Sequence, residues 1–236
     1  PITEWGVKYE EVATRFYEHL TGTSIYEFGM IPHPEFPAFG ASPDGICDIN
    51  SPPQYIGRML EIKCPPKRKF TKSVPKHYWY QMQGQLECCD LDECDFLQVK
   101  LCEYESFDNY KEDVYDENGS VKEGYCKYGH PKGCVVTYRK PDEQKKYYLY
   151  PQLELTIDEY VQWSNEQKEW INENKYQFIE TKWWYIERFE CTLVKRDKEW
   201  WLKTIPEIIN FWNDVEHYRN IGIDSIPETT KRVYVC

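Results

Sequence analysis

The residue types best suited to chemistry in this chain of 236 residues are found at Asp44, Glu61 and Lys63. Glu61 and Lys63 are separated by one apolar residue in a predicted strand, so both side chains project from the same face of the sheet. Asp44 lies in a turn before that strand, and the turn can bring its carboxylate beside Glu61. Two converging carboxylates favour Mg²⁺ or Mn²⁺, and an adjacent lysine can orient a water molecule or neutralise phosphoryl charge.

Each part of this pattern also has a plain structural interpretation. Asp-Gly is a common turn signal, and Glu-x-Lys is a common pair on the surface of a strand. The combination is more specific, because the turn acid, the apolar strand and Glu-x-Lys follow one another in that order. A basic loop comes directly afterwards: residues 61–80 contain six Lys or Arg residues and one acidic residue, Glu61.

Helices and short strands are predicted around these residues. An apolar stripe at i, i+3 and i+4 spacing predicts a helix over 5–20, and Pro75 suits the first turn of a helix over 75–89. Strands are predicted over 45–50, 57–64, 95–104 and 183–195, with a hairpin over 134–139 and 146–150. A capping box at 156–159 opens another helix, and Asp197 begins a last helix that a second capping box at 204–207 restarts.

These elements predict an α/β domain over residues 1–220. Its expected architecture is a central mixed, twisted sheet flanked by helices, and a chain of this length can bury a hydrophobic core. An acidic, glycine-containing insertion at about 103–132 is expected to be irregular. The tail at 221–236 is expected to be weakly ordered.

The net charge of −11 argues at first against a nucleic-acid partner, because phosphate binding requires a positive surface. The charge is unevenly distributed, however. Residues 87–123 contain 13 acidic and 3 basic side chains, whereas the loop after Lys63 has a basic excess. The acidity is therefore local, and it does not exclude a polyanionic partner at another surface.

Several features favour an intracellular protein. No apolar run reaches the ~18 residues of a transmembrane helix, and no secretory leader is visible. The ten cysteines are scattered through a long chain, as expected of free thiols in a reducing compartment. Cys126, His130 and Cys134 offer only three local ligands, whereas structural zinc normally takes four. The chain begins at Pro1 without a methionine, which indicates an excised fragment or a processed product.

Four segments, taken in order, resemble the motifs of one family. Residues 6–13 (GVKYEEVA) match a helix with a G-x-x-x-E-x-x-A core, and residues 40–45 (GASPDG) match its SPDG turn. Residues 60–65 (LEIKCP) match its Glu-x-Lys strand, and residues 78–86 (YWYQMQGQL) match its glutamine-containing helix. The chain is thereby identified as a member of the YqaJ-like viral recombinase family, lambda-exonuclease-type nucleases of the PD-(D/E)XK superfamily.

The resemblance extends to most of residues 5–220. Segments at 132–136, 148–151 and 196–212 are similar to those of the family members carried by large DNA viruses. The implied fold is the restriction-endonuclease-like PD-(D/E)XK core, as a single nuclease domain.

The resemblance implies a metal site built from Glu10, Asp44, Glu61 and Ile62. Asp44 and Glu61 would bind the metal through their side chains, Ile62 through its backbone carbonyl, and Glu10 directly or through water. Two Mg²⁺ ions, with Mn²⁺ as an alternative, would stabilise the attacking and leaving oxygens. If the helix register shifts by one residue, Glu11 takes the place of Glu10.

The remaining matches imply contacts with water and substrate. Lys63 would position the attacking water, and Gln81, with Tyr78 on the same helix face, would line the site. For Tyr78, packing in the core is the alternative interpretation. Gln83 and Gln85, on the same predicted helix, are interpreted as plain helix surface. The basic loop would follow DNA phosphates, or form an ordinary solvated turn, through Lys67, Arg68, Lys69 and Lys72.

The implied activity is that of a metal-dependent DNA nuclease, a 5′-to-3′ exonuclease acting on duplex ends in viral recombination or replication. The implied partners are DNA, a single-strand annealing protein and further copies of the chain in a trimer, without a membrane. The implied location is host cytoplasm, host nucleus or virion. Two alternatives stay open: a structure-specific endonuclease, and a non-catalytic DNA-binding module. Arg15 and Arg58 are available for a 5′-phosphate, but neither lies in a matching motif.

Overall fold

The computed structural model describes residues 2–66, 70 and 73–226, and its main feature is a mixed seven-stranded sheet. In spatial order its strands are β1 (Ile25–Tyr26), β4 (Gly45–Cys47), β5 (Met59–Lys63), β6 (Glu93–Glu103), β11 (Gln177–Lys195), β9 (Lys132–Arg139) and β10 (Lys146–Leu149). Two small antiparallel pairs are β2 (Ile31–Pro32) with β3 (Gly40–Ala41), and β7 (Tyr115–Glu117) with β8 (Ser120–Lys122). The helices are α1 (Ile2–Thr21), α2 (Lys76–Cys89), α3 (Phe107–Glu112), α4 (Ile157–Glu173) and α5 (Lys198–Ile221), followed by a 3₁₀ turn at Ile223–Ser225.

The sheet is mixed because one pair of neighbouring strands, β5 and β6, is parallel. A parallel pair needs a crossover connection, and α2 provides it. The other neighbouring strands of the described sheet run antiparallel, including the predicted hairpin of β9 and β10. The predicted α/β class, with a mixed sheet flanked by helices, is therefore confirmed.

Helices pack on both faces of the sheet, and the alternation of β5 decides which side chains each helix meets. Leu60 and Ile62 are buried in one cluster with apolar residues of α1. Met59 is buried in a second cluster with apolar residues of α2. Side chains two residues apart on a strand point the same way, so Glu61 and Lys63 share the face of Met59. The polar pair is therefore directed toward α2.

The acidic insertion predicted at about 103–132 is more ordered than expected. It contains α3, whose N-cap is Ser106, and the hairpin of β7 and β8. Lys132 is only 2% exposed and donates hydrogen bonds to the backbone carbonyls of Tyr110, at 2.6 Å, and of Asp113. The composition of the segment indicated an irregular chain, but this buried lysine satisfies carbonyls at the end of α3 and ties the segment to the sheet.

The expected restart of the last helix at 204–207 is wrong. α5 is continuous through this segment, with Pro206 inside it, and Asp197 is its N-cap. The Thr204 hydroxyl donates to the Trp200 carbonyl at 2.9 Å, a bond that is typical of a helix interior. Thr204 therefore caps no new helix, although its sequence pattern fits a capping box.

Three further observations concern the chain as a whole. The cysteines of the described residues are free thiols. None of the helices that the structure describes combines the length and apolarity of a transmembrane segment. Most of the predicted tail, residues 227–236, lies outside the described part.

Arg196, just after β11, connects the sheet to the C-terminal end of α2. Its side chain is 9% exposed and donates two hydrogen bonds to the Glu87 carboxylate, at 2.6 and 2.7 Å, and one to Asp90 at 2.8 Å. Replacing Arg196 by methionine leaves the buried Glu87 carboxylate without its cation. We expect the free energy of unfolding, measured by chemical denaturation, to fall by ~3 kcal/mol.

The matched control for this change is Lys203→Met. Lys203 pairs with Glu199 on the exposed surface of α5, where both side chains are largely in solvent. We expect this variant to lose less than ~0.5 kcal/mol, because exposed ion pairs contribute little. Similar losses in the two variants would contradict a stabilising role for the buried Arg196 pair.

Candidate active site

Glu61 is the centre of a polar cluster between β5 and α2. Its side chain is fully buried, and three polar side chains contact its carboxylate. One carboxylate oxygen accepts a hydrogen bond from Gln81 Nε2 at 2.7 Å and pairs with the Lys63 ammonium. The other oxygen accepts from Gln85 Nε2 at 2.8 Å. Burial of an ionised carboxylate is costly, and these contacts compensate for the lost solvent.

Asp44 reaches the same cluster from the turn before β4. The antiparallel pairing of β4 and β5 places Gly45 opposite Leu60, so the preceding residue lies beside the end of β5. Asp44 Oδ2 accepts a hydrogen bond from the Ile62 backbone N–H at 2.6 Å. Burial, followed by the charge of Glu61, raises the pKa of Asp44 to about 7. Asp44 therefore shares this site with a carboxylate whose charge disfavours its own ionisation.

Lys63 provides the positive charge of the cluster. Its side chain is 23% exposed, and its Nζ lies 5.1 Å from the centroid of the Tyr78 ring. Burial disfavours the ammonium, but Glu61 and Asp44 outweigh that effect, so the pKa of Lys63 is raised. Lys63 is therefore a cation at neutral pH, and it can donate a hydrogen bond to a water or a phosphate.

Glu10 lies on α1 at the edge of this cluster. Part of its side chain is exposed to solvent, and the burial of the remainder raises its pKa. The charge of Lys63 opposes this effect, whereas the charges of Glu27 and Glu61 add to it. The neighbouring Glu11 instead pairs with Arg15 on the helix surface at 2.5 Å. Of the two glutamates considered from the sequence, Glu10 is thus the one that interacts with the charges of Lys63 and Glu61.

The two arginines considered for a 5′-phosphate are engaged elsewhere. Arg15 also donates to the Pro151 carbonyl at 2.9 Å, next to its pair with Glu11. Arg58 pairs with Glu93 at 2.6 Å and with Asp95 at 3.1 Å. Both guanidinium groups therefore have structural partners.

Two glutamines of α2 differ from the surface position considered for them. Gln85 is 3% exposed and contacts Glu61, and Gln83 is fully buried and donates to the Lys195 carbonyl at 2.9 Å. Gln85 is thus a residue of the site that sequence reasoning missed. Its spacing of four from Gln81 was the available signal, because residues i and i+4 share one face of a helix.

The donor chemistry of the cluster fits a hard divalent cation. Asp44 and Glu61 supply carboxylate oxygens, and the raised pKa of Asp44 shows the unfavourable negative charge that a cation would offset. Among residues 2–66, 70 and 73–226, no group of three His, Cys, Asp or Glu side chains has the geometry to hold a metal. Completion of the cluster by Glu10 stays a prediction.

Other predicted residues lie apart from the cluster or outside the described chain. Cys126 Sγ and His130 Nδ1 both contact the Ile186 carbonyl, at 3.3 and 3.2 Å, whereas Cys134 packs in a cluster with Tyr160. The four cations expected to follow DNA phosphates lie outside the described residues, and their role stays a prediction: Lys67, Arg68, Lys69 and Lys72.

Comparisons with known proteins agree with the motifs. Residues 1–92 match the family model described as the YqaJ-like viral recombinase domain. This segment contains Glu10, Asp44, Glu61, Lys63 and Gln81. The predicted resemblance is confirmed for this part of the chain.

A curated relative and two crystal structures are also similar. An uncharacterized protein of Acanthamoeba polyphaga mimivirus is 31% identical over 241 residues, covering 91% of this chain and 43% of that protein. The chain thus spans less than half the length of this relative. A crystal structure of LHK-Exo in complex with dAMP is 20% identical with a TM-score of 0.45, covering 92% of this chain and 69% of the other. A second, of the alkaline exonuclease LHK-Exo from Laribacter hongkongensis, is 19% identical with a TM-score of 0.43, covering 89% and 66%.

Proposed function

We propose that this chain, whose residues 1–92 match the YqaJ-like viral recombinase domain, is a metal-dependent nuclease that hydrolyses DNA phosphodiesters. The observation that carries the proposal is the cluster of Asp44, Glu61 and Lys63 between β5 and α2. It combines two carboxylates for a cation with an ammonium group for water or phosphate. Burial of Glu61 is costly, and DNA binding without catalysis would not require it.

Each residue of the cluster has a distinct proposed task. Asp44, Glu61 and the Ile62 carbonyl would hold Mg²⁺, or Mn²⁺ in its place, with Glu10 contributing directly or through water. Bound as one ion or two, the metal would supply Lewis-acid stabilisation of the charge that develops on the phosphate. Lys63 would orient the attacking water through its Nζ.

The glutamines of α2 would keep the Glu61 carboxylate in place. Gln81 Nε2 and Gln85 Nε2 each donate to a different oxygen of Glu61, so the plane of the carboxylate is fixed from both sides. Gln81 is itself exposed and is therefore also available to substrate, whereas the half-buried Tyr78 ring lies beside Lys63 and packs against Phe96. A preorganised carboxylate needs no rearrangement when charge develops during the reaction.

The finer proposal is a 5′-to-3′ exonuclease that digests duplex ends for viral recombination or replication. It is supported by the family match and the viral relative. DNA is the proposed partner, with a single-strand annealing protein and a homotrimer as further proposals. The basic loop residues would follow the phosphates, and the product would carry a 5′-phosphate. The proposed location is the infected host cell or the virion.

The experiment that tests this function is a digestion assay with four DNA substrates. Linear duplexes with 5′-phosphate or 5′-hydroxyl ends, closed circular duplex and circular single strands are incubated with Mg²⁺ or with EDTA. We expect Mg²⁺-dependent loss of linear duplex, faster with the 5′-phosphate, while circles persist. Cleavage of circles would replace the exonuclease by the structure-specific endonuclease. Binding of DNA without any product would contradict the nuclease and favour the non-catalytic module.

A further inference from the structure

A cavity of about 740 Å³ opens beside the candidate active site. Its volume lies within the range of small-molecule binding sites. Its main lining residues come from the segment before Asp44, from α2 and from α5: Phe39, Tyr80, Gln81, Gln85, Trp200 and Trp201. Gln81 and Gln85 also contact Glu61. A group in this cavity would thus be separated from the carboxylates by no more than one layer of side chains.

Stacked aromatic rings form one wall of this cavity. The Tyr80 and Trp200 rings are parallel within 5°, with centroids 5.3 Å apart. Trp79 packs edge-on against Trp200 at 5.0 Å and holds it in position. Tyr80 is nevertheless 47% exposed, so a large part of its ring is available to a ligand. Such a flat, supported ring is the type of surface on which nucleobases stack.

A second part of the lining depends on a glycine. A Cβ on Gly84 would lie 2.9 Å from Phe39 Cζ, so the bare backbone of α2 allows the Phe39 ring to lie close. Phe39 in turn contacts Trp201, with ring centroids 5.3 Å apart. Trp201 is 5% exposed and anchors α5 against this part of the lining.

The charge of the lining favours a base over a phosphate. No Asp, Glu, Lys or Arg side chain contributes to the described lining of this cavity, whereas the neighbouring cluster is highly charged. His77, Ser42 and Thr204 supply polar atoms at its edges. An aromatic cavity with a few polar groups can accept a planar heterocycle, and its described lining offers a phosphate neither lysine nor arginine.

We propose that this cavity, the Tyr80 pocket, binds one unpaired nucleobase of the strand that is cut. The inference rests on the proposed nuclease function and deepens it. Stacking needs a free face of the base, so the nucleotide in the pocket must be separated from its complementary strand. The Tyr80 pocket would thereby help to hold a frayed end while the adjacent phosphodiester lies at Glu61 and Lys63.

A binding experiment on a non-cleaving background tests this role. The Lys63→Ala protein is titrated, by fluorescence anisotropy, with a labelled single-stranded oligothymidine and with the same oligonucleotide made abasic. We expect the abasic strand to bind about 5- to 100-fold more weakly, as typical of one lost stacking contact. Adding Tyr80→Ala should weaken binding of the normal strand by a similar factor and remove most of the difference between the two strands. Adding Tyr80→Phe should preserve that difference, because the ring remains.

The matched control is Tyr128→Ala on the same background. Tyr128 is 46% exposed, close to the value for Tyr80, and lies outside the pocket. We expect it to leave the binding of both strands unchanged. A Tyr80→Ala protein that binds the normal strand as tightly as its parent, or that keeps the full penalty for the abasic strand, would overturn the proposal. Failure of the parent to bind either strand would overturn it as well.

The digestion assay separates this proposal from the function on which it rests. Mg²⁺-dependent cleavage without any Tyr80-dependent preference for bases leaves the nuclease standing and removes the pocket. Tyr80-dependent binding of bases without cleavage removes the nuclease and leaves the pocket as a nucleic-acid site.

Discussion

Replacement of Lys63 by alanine is expected to lower the rate of Mg²⁺-dependent DNA cleavage by about two to four orders of magnitude. The reason is the position of the ammonium between the buried Glu61 carboxylate and the Tyr78 ring, where it is held as a cation. Without it, the attacking water loses a positioned donor, and Glu61 loses its cationic partner. The measurement is the initial rate of linear duplex digestion at saturating protein.

The control for Lys63→Ala is Lys100→Ala. Lys100 pairs with Glu187 at 2.6 Å and is 35% exposed, so the variant also removes a partly buried ion pair. It lies outside the proposed cluster, and we expect near-normal cleavage. Thermal melting should show both variants folded at the assay temperature. A Lys63→Ala protein with undiminished activity would contradict the assignment of the active site.

Replacement of Asp44 by asparagine is expected to stabilise the metal-free protein at pH 8 while abolishing its response to Mg²⁺. The pKa of Asp44 is raised to about 7, chiefly by burial and by Glu61, whereas the unfolded chain would ionise near the ordinary value of 3.8. The folded state therefore binds the proton more tightly, and its stability falls as the pH rises through about 7. Asparagine does not ionise and therefore removes this penalty, which is roughly 1–4 kcal/mol. Its side-chain carbonyl can still accept a hydrogen bond from the Ile62 backbone N–H.

Melting temperatures in EDTA and in Mg²⁺, at pH 5 and pH 8, measure this effect. In EDTA the variant should exceed the parent at pH 8 and approach it at pH 5, where the parent carboxyl is protonated. In Mg²⁺ at pH 8 the parent should gain stability and the variant should not, because ligand binding to the folded state stabilises it. Asp92→Asn, with a side chain 83% exposed, is the control and should melt like the parent. Lower stability of Asp44→Asn in EDTA at pH 8 would contradict the raised pKa of the buried Asp44 carboxyl.

Local chemistry explains why much of the site was predictable from the sequence. The two-residue period of a strand fixes Glu61 and Lys63 on one face, and the turn before β4 returns the chain so that Asp44 meets the same strand. The helix period places Gln81 on the face of α2 that reaches them. These relations depend on neighbours within one element or across one turn. The helices and the individual strands follow from the same periodicities.

Only the tertiary structure decided which side chains from distant elements meet. Gln85 contacts Glu61, and Trp200 stacks on Tyr80 across more than a hundred residues of sequence. Lys132 orders an acidic segment whose composition alone indicated irregular chain. Periodicity assigns a residue to a face of its own element, but the partner across that face depends on how the whole sheet and its helices pack. The sequence by itself therefore determined the chemical groups of the site, and the fold determined the aromatic pocket beside it.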